Sequence, residues 1–434
     1  MLFRQHGSGR VSHIGLLLAG LMAFASLPGR ATGQNDPAKT RVEGGPAQPA
    51  AAAPATAPGA SVYVAPGGRP ENDGSPAKPW PSVEFALSKV GAGNTVIVKP
   101  GIYRGPWQIR NHPSKPGGPP TIVKSEVKWK AVVNGGPGEG INVVDCPGIV
   151  IDGFEVSGAR GDGISMNTDL GTVRNCWVHN NDHMGVSSHG HRGVQIEANL
   201  IEFNGCNIQF HHGVYADGEG LTVCRNIVRH NSGYGLHLYP SIKGATVSQN
   251  LVFGHVYQSG IIVACPEGGG RNLIVHNTVV GNGGGIAIWR GDGERVFNNI
   301  LVSSGEVLAC SRDTKNVTAD YNLCRPDLAR QGPHSTLVDP RFVKPAYGVF
   351  WLRPESPAIG KGTPEYAQPT DFWGRPLPRG KAPDLGAFTF VPTLATDKTR
   401  IGWNGWPYRF APQGEMELSD PWTLPSSEPA KASR

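Results

Sequence analysis

Residues 210–220 read FHHGVYADGEG and set two histidines, a tyrosine and an aspartate around Gly213. Only 17% of the chain is charged, so this stretch is chemically dense. Imidazole titrates near neutral pH, phenol gives up a proton reluctantly, and carboxylate can orient a neighbouring ring. Together they suit proton transfer. Beyond residue 33 the chain has 12 histidines, and 10 of them fall between 179 and 276. Such a concentration marks a candidate site. A merely solvated polar face is the plain alternative, and the elements that carry these residues decide between the two.

Those elements repeat. Gly-led segments GINVV, GISMN, GVSSH, GVYAD, GLHLY, GIIVA and GIAIW begin at 140, 163, 185, 213, 235, 260 and 285, with spacings of 23, 22, 28, 22, 25 and 25. A second column holds Asn175, Asn199, Asn226, Asn250, Asn277, Asn299 and Asn322, each beside an apolar segment. Two columns at this period predict the coils of a solenoid, with short strands and tight turns in each coil. Stacked side-chain amides can hydrogen-bond from coil to coil. A β-sandwich gives no reason for one Asn per coil. The 60 Gly and 38 Pro fit a turn-rich, all-β chain.

At this point the sequence resembles the right-handed parallel β-helix proteins of the pectate-lyase-like superfamily. The resemblance covers roughly residues 61–390. It rests on the repeat, on the opening YVAPGGRPENDGSPAKPWPSVEFAL…NTVIVKPGIYRG, and on the closing LVDPRFV…FWLRPESPAIGKGTP…TDFWGRPLP…APDLGAFTF (337–390). It implies a secreted all-β solenoid, and extended polysaccharide as the ligand class. Within the opening, PSVEFALSKV (81–90) predicts a short capping helix: Pro81 and Ser82 start it, Phe85, Ala86 and Val90 form an apolar stripe, and Gly91 ends it.

Strand alternation converts the repeat into a surface. Val214 and Ala216, Leu236 and Leu238, and Ile261 and Val263 point inward. The residues between them point outward and form three columns: Met184, His212, Tyr234; Ser187, Tyr215, His237; and His189, Asp217, Tyr239. Flanking coils offer Asn142 and Val144 on one side and Ile262 and Ala264 on the other. The 28-residue coil carries its extra residues in NGCNIQFHH (204–212), where a loop could wall a cleft beside His191, Arg192 and His211.

Three chemistries fit this grid. In β-elimination on a uronic-acid polymer, Tyr215 and His237 exchange protons and His189 is oriented by Asp217, with His212 beside them. Arg192 or a bound Ca²⁺ neutralises the substrate carboxylate. Tyr234, Tyr239, Trp289 and Arg290 contact sugar. Glycoside hydrolysis needs two carboxylates about 5–10 Å apart, and Asp162 and Asp217 sit two coils apart. NTD (167–169) and SHG (188–190) echo polygalacturonase-like hydrolases, but the paired-Asp and Arg-x-Lys elements are absent. Also absent are the Asp-Pro-His-Asp run of alginate epimerases and a lysine on the grid to match calcium-dependent pectate lyases. The third reading is a non-catalytic glycan-binding solenoid, with His189, Asp217 and His237 as metal ligands.

The flanks set context. Arg4 and Arg10 precede the apolar run IGLLLAGLMAFASL (14–27), and RATGQ follows, so residues 1–33 are expected to be a signal peptide and the protein secreted or periplasmic. No other apolar run is long enough to predict a span. Residues 34–60 read as an Ala/Pro-rich linker, and 391–434, with Trp403, Trp406 and Trp422, as a tail of unassigned packing. Removing Arg4, Arg10 and Arg30 from 40 cationic residues leaves 37 against 34 acids, a net +3 that gives no support to nucleic acid as partner. A monomer is expected. The seven cysteines include no CxxC; Cys310 and Cys324 could pair across a short loop or sit as buried small hydrophobes.

Overall fold

The computed structural model describes residues 59–114, 117–377 and 379–392, with two short strands at 408–410 and 416–418. The expected signal peptide, nearly all of the linker, and the tail tryptophans lie outside the described residues.

The described chain is a parallel β-helix. Its coils contribute in turn to three parallel sheets, two of eleven strands and one of nine. The Gly-led segments form the nine-stranded sheet. Its register is the one the alignment predicts: Ile164 pairs with Val186, Val186 with Val214, Val214 with Leu236, and Leu236 with Ile261. Val214, Ala216, Leu236, Leu238, Ile261 and Val263 are all fully buried in the solenoid core.

Three-residue strands need sharp bends between them, and the bends follow one rule. Ala198, Arg225, Gln249, His276, Asn298 and Tyr321 all have φ between 54° and 58°, in the left-handed region. Each is followed by an inward asparagine: Asn199, Asn226, Asn250, Asn277, Asn299 and Asn322. From Asn199 to Asn299, each Nδ2 donates to the next coil's Asn Oδ1 at 3.0–3.1 Å, and the backbone N–H donates to the same oxygen. The side chain thereby satisfies a backbone donor buried by the bend. Asn175 is not a rung. It is itself the left-handed residue, with φ 55°, and its Nδ2 donates to Asp152. The rung of that coil is Cys176, whose N–H donates to Asn199.

A second ladder stands at the other bend, and the repeat reading did not predict it. Asn181, Asn204, Asn231, His255 and Asn282 stack one coil apart, each after a left-handed residue. This ladder also explains the glycine column. A Cβ on Gly213 would lie 2.6 Å from Val228 Cγ1 and 2.8 Å from Asn231 Nδ2.

The predicted helix is present as Val83–Lys89, with Ser82 Oγ accepting the Phe85 N–H as N-cap. It buries Val83, Ala86 and Leu87 and packs against Trp107–Arg110, the terminal strand of the nine-stranded sheet. Glu84 accepts the Gln108 N–H there, which pairs a donor on a sheet edge. The closing segment covers a different sheet. Phe350, Trp351, Phe372 and Phe388 pack in one cluster with Leu200, Ile227, Leu251 and Ile300 of one eleven-stranded sheet. All seven cysteines are free thiols, so Cys310 and Cys324 do not pair. Among the described residues no helix is long and apolar enough to cross a membrane.

Candidate functional site

The predicted grid exists. Ser187 pairs with Tyr215 and Tyr215 with His237 in adjacent strands. Around them the rings of Tyr215, His237, His212, Tyr234 and Tyr239 form one cluster. Tyr215 and His237 meet edge to face at 5.1 Å between centroids, and His212 lies 4.5 Å from His237. Tyr234 and Tyr239 flank His237 at 4.9 and 5.3 Å. After Ala216 the pairing shifts, because Gly218 faces Ile242 and the longer strand Leu236–Lys243 bulges beyond Tyr239. Bulges of this kind re-aim side chains beside sites. Tyr239 in turn stacks parallel to Trp289, 6.1 Å away and 5° from coplanar, two coils further along. Trp289 is 42% exposed, so the pair forms an aromatic shelf open to solvent.

Burial separates the roles of these rings. His212 was expected on the outward surface, but it is only 1% exposed: it lies outside the barrel wall yet beneath Tyr215, Tyr234 and His237. Its Nδ1 accepts the Tyr234 N–H at 3.2 Å, so its proton sits on Nε2. Burial, reinforced by His237, pushes its pKa down to about 2. It is a fixed neutral ring and supports the others rather than titrating. His237 is half-buried, and burial alone lowers its pKa to about 4. Its Nδ1 is buried with no hydrogen-bond partner among the described residues. Burial pushes Tyr215 up to about 12, and Tyr234 is raised for the same reason. At neutral pH the centre therefore holds a neutral imidazole beside a protonated phenol.

Other predicted members stand differently. His189 lies beside Tyr215, with ring centroids 5.2 Å apart. Its Nδ1 is 3.7 Å from Asp217, beyond hydrogen-bond range. Asp217 instead accepts the Gly190 N–H at 3.0 Å, so it holds the turn rather than orienting the imidazole. Arg192 is 73% exposed and bound by Asp169 at 3.1 Å. Arg290 pairs with Asp313 at 3.4 Å. Neither arginine belongs to the ring cluster. Among the described residues no three His, Cys, Asp or Glu side chains converge to hold a metal, so His189, Asp217 and His237 do not make a metal site. The cluster also gives Ca²⁺ no carboxylate set to bind it.

The sequence reading undervalued one acid. Asp162 accepts the Ser187 hydroxyl at 2.5 Å and the Met184 N–H at 3.0 Å. It anchors the row below Tyr215 and leaves Ser187 wholly buried. The ten clustered histidines also disperse in space. Only His189, His212 and His237 reach the site. His255 is a ladder rung, His276 is buried and accepts from Asn298 Nδ2, and His230 stacks on Phe203 and meets Phe253 edge to face.

Residues 120–265 match the family described as "Right handed beta helix region". Among curated proteins the chain is similar to the uncharacterized protein YwoF of Bacillus subtilis (strain 168), with 24% identity over 210 residues. That alignment covers 41% of this chain and 43% of YwoF, so the chain spans less than half of that relative. Among solved structures it is similar to pectate lyase Pel9A, with a TM-score of 0.57 and 18% identity over 77% of this chain and 97% of that one. This likeness is one of fold.

Proposed function

We propose that this right-handed parallel β-helix protein is an exported polysaccharide lyase that cleaves a uronic-acid-containing polymer by β-elimination. The observation that carries the reading is the edge-to-face pair of a neutral His237 and a protonated Tyr215, flanked by the exposed Tyr239–Trp289 shelf. The shelf stacks against sugar rings and lays the polymer across the parallel strands. His237 takes the proton α to the uronate carboxyl, and the resulting electron pair forms the new double bond as the glycosidic oxygen leaves. Tyr215 protonates that oxygen. The proton on His237 then returns to the phenolate through solvent, and the site is reset.

The electrostatics support this division of roles. Burial alone depresses His237, so an anionic ring docked against it raises its basicity when the proton must be taken. With Arg192 and Arg290 held by acids, the developing charge is met by neutral donors, the phenols of Tyr234 and Tyr239. The same pairing of both arginines favours a second reading, in which the face binds glycan without cleaving it.

The test is a panel of pectate, alginate, glycosaminoglycans and neutral glycans incubated with the full chain, following unsaturated-uronate absorbance and new reducing ends. Absorbance with new ends on one acidic polymer, lost about 10²–10⁴-fold in Tyr215→Phe and in His237→Asn, is the expected result. New ends without absorbance transfer the reading to hydrolysis. Binding with neither signal leaves the non-catalytic reading in its place.

A further inference from the structure

The outward column that carries Asp217, Tyr239 and Trp289 continues one coil beyond the shelf. Ile288 pairs with Cys310, so Ser311 stands in line with Trp289. There the surface opens into a cavity of about 320 Å³ lined by Cys310, Ser311, Arg312, Thr314, Val317 and Arg330. Its floor is fixed. The Ser311 and Thr314 hydroxyls bond each other at 2.9 Å, and both accept the Arg290 N–H. Burial raises the Cys310 thiol, so it lines the cavity as a neutral group.

The charge of this cavity is positive. Arg312 and Arg330 are both exposed, and neither guanidinium has a hydrogen bond or ion pair among the described residues. Lys315 adds a third cation in the same loop. The acids nearby do not cancel them. Asp313 is taken by Arg290, and buried Glu294 is pushed toward its neutral form by burial. Exposed Glu306 makes no ion pair with either arginine. Two free guanidinium forks at a polar cavity are suited to a planar or tetrahedral oxyanion.

We infer that this cavity is a subsite for an acidic group, carboxylate or sulfate ester, on the same polymer chain that crosses Tyr215 and His237. The inference rests on the polysaccharide reading above. Three coil steps separate the His237 coil from the Ser311 coil, about 14 Å at the usual strand spacing, with Tyr239 and Trp289 between them. A single extended chain reaches both. The cationic end then selects acidic polymers and fixes their register without placing a charge at the reaction centre.

The experiment is affinity electrophoresis of the full chain through gels carrying polygalacturonate, alginate, chondroitin sulfate or neutral dextran. At least one acidic polymer is expected to retard the protein, and dextran is not; which polymer does so separates carboxylate from sulfate. The Arg312→Gln/Arg330→Gln double variant should weaken that dissociation constant about tenfold, the scale of one lost charge-assisted contact. Arg312→Lys/Arg330→Lys should recover part of it. High salt should erase the difference between the variants. An unchanged dissociation constant in the Gln variant, equal retardation by dextran, or no retardation by any polymer overturns the inference. Tyr215→Phe separates the two claims. If it abolishes cleavage while the arginines leave affinity unchanged, this inference alone fails. If it leaves cleavage intact while affinity still depends on the arginines, the lyase reading fails and the subsite stands.

Discussion

Asn250→Ala should cost about 4–6 kcal/mol, because the Asn250 amide makes four buried hydrogen bonds at the heart of the stack. Its Nδ2 donates to Val223 O at 2.8 Å and to Asn277 Oδ1 at 3.0 Å. Its Oδ1 accepts the Asn226 N–H and the Asn226 amide, both at 3.0 Å. Truncation leaves the buried Asn226 N–H with no acceptor, a penalty of about 1–3 kcal/mol, and forfeits three further bonds at about 1 kcal/mol each. That is a large share of the roughly 5–15 kcal/mol typical of a folded domain. Asn250 and Asn226 belong to the coils that carry His237 and Tyr215, so the same change should loosen the site. Asn175→Ala is the control. It removes one side-chain bond, to Asp152, outside the ladder, and with the left-handed backbone there should cost about 2–3 kcal/mol, less than the ladder change. Urea titration followed by circular dichroism reads both variants. If Asn250→Ala is no more destabilising than Asn175→Ala, the ladder is not what holds the coils in register.

Acid should destabilise the fold. Burial lowers His255 and His276 to about 4, below the 6.5 of an unfolded chain, so the unfolded state binds more protons between those values. Their contribution is complete above pH 6.5 and is lost as pH falls toward 4, at about 2 kcal/mol for each by pH 5. His255→Asn should make the second ladder all-amide and flatten the pH dependence of the melting temperature by one histidine's share; an unchanged slope refutes that assignment. Trp289→Ala should weaken glycan affinity by about 1–2 kcal/mol while leaving the fold intact, as judged by binding titration and thermal melting. Equal affinity would remove the shelf from the binding surface.

The register of the site sheet was legible because strand alternation is strict: once Gly213 and Gly235 are aligned, Tyr215 and His237 must be outward neighbours. The Asn column was legible everywhere but at Asn175. It slipped there because an asparagine also suits the left-handed residue before the rung, and in that coil the rung is a cysteine. The second ladder stayed hidden behind His255, which replaces an amide with an imidazole that makes the same two bonds. The number of histidines misled, since each coil distributes its residues over three sheets and the bends between them. Burial of His212 was out of reach, because it depends on how the neighbouring rings fold over it.

The fate of the arginines was legible in principle. Arg192 pairs with Asp169, Arg174 with Asp152, Arg225 with Glu197, Arg229 with Glu202 and Lys243 with Glu219. Every one of these partners lies 22–28 residues earlier, which is one coil. In these five pairs the acid that neutralises the base is found at the repeat period, just as the helix places it at three or four residues. Applied to the chain, this rule assigns Arg192 to Asp169 and gives Arg290 to Asp313, 23 residues later. Arg312 has no acid 22–28 residues before it and only Asp339, held by Arg325, at that distance after it, while Arg330 has Glu306 24 residues before it but makes no ion pair with it. On the proposed reading, anion selection at the Arg312–Arg330 cavity and proton transfer at Tyr215 and His237 would be carried by different coils.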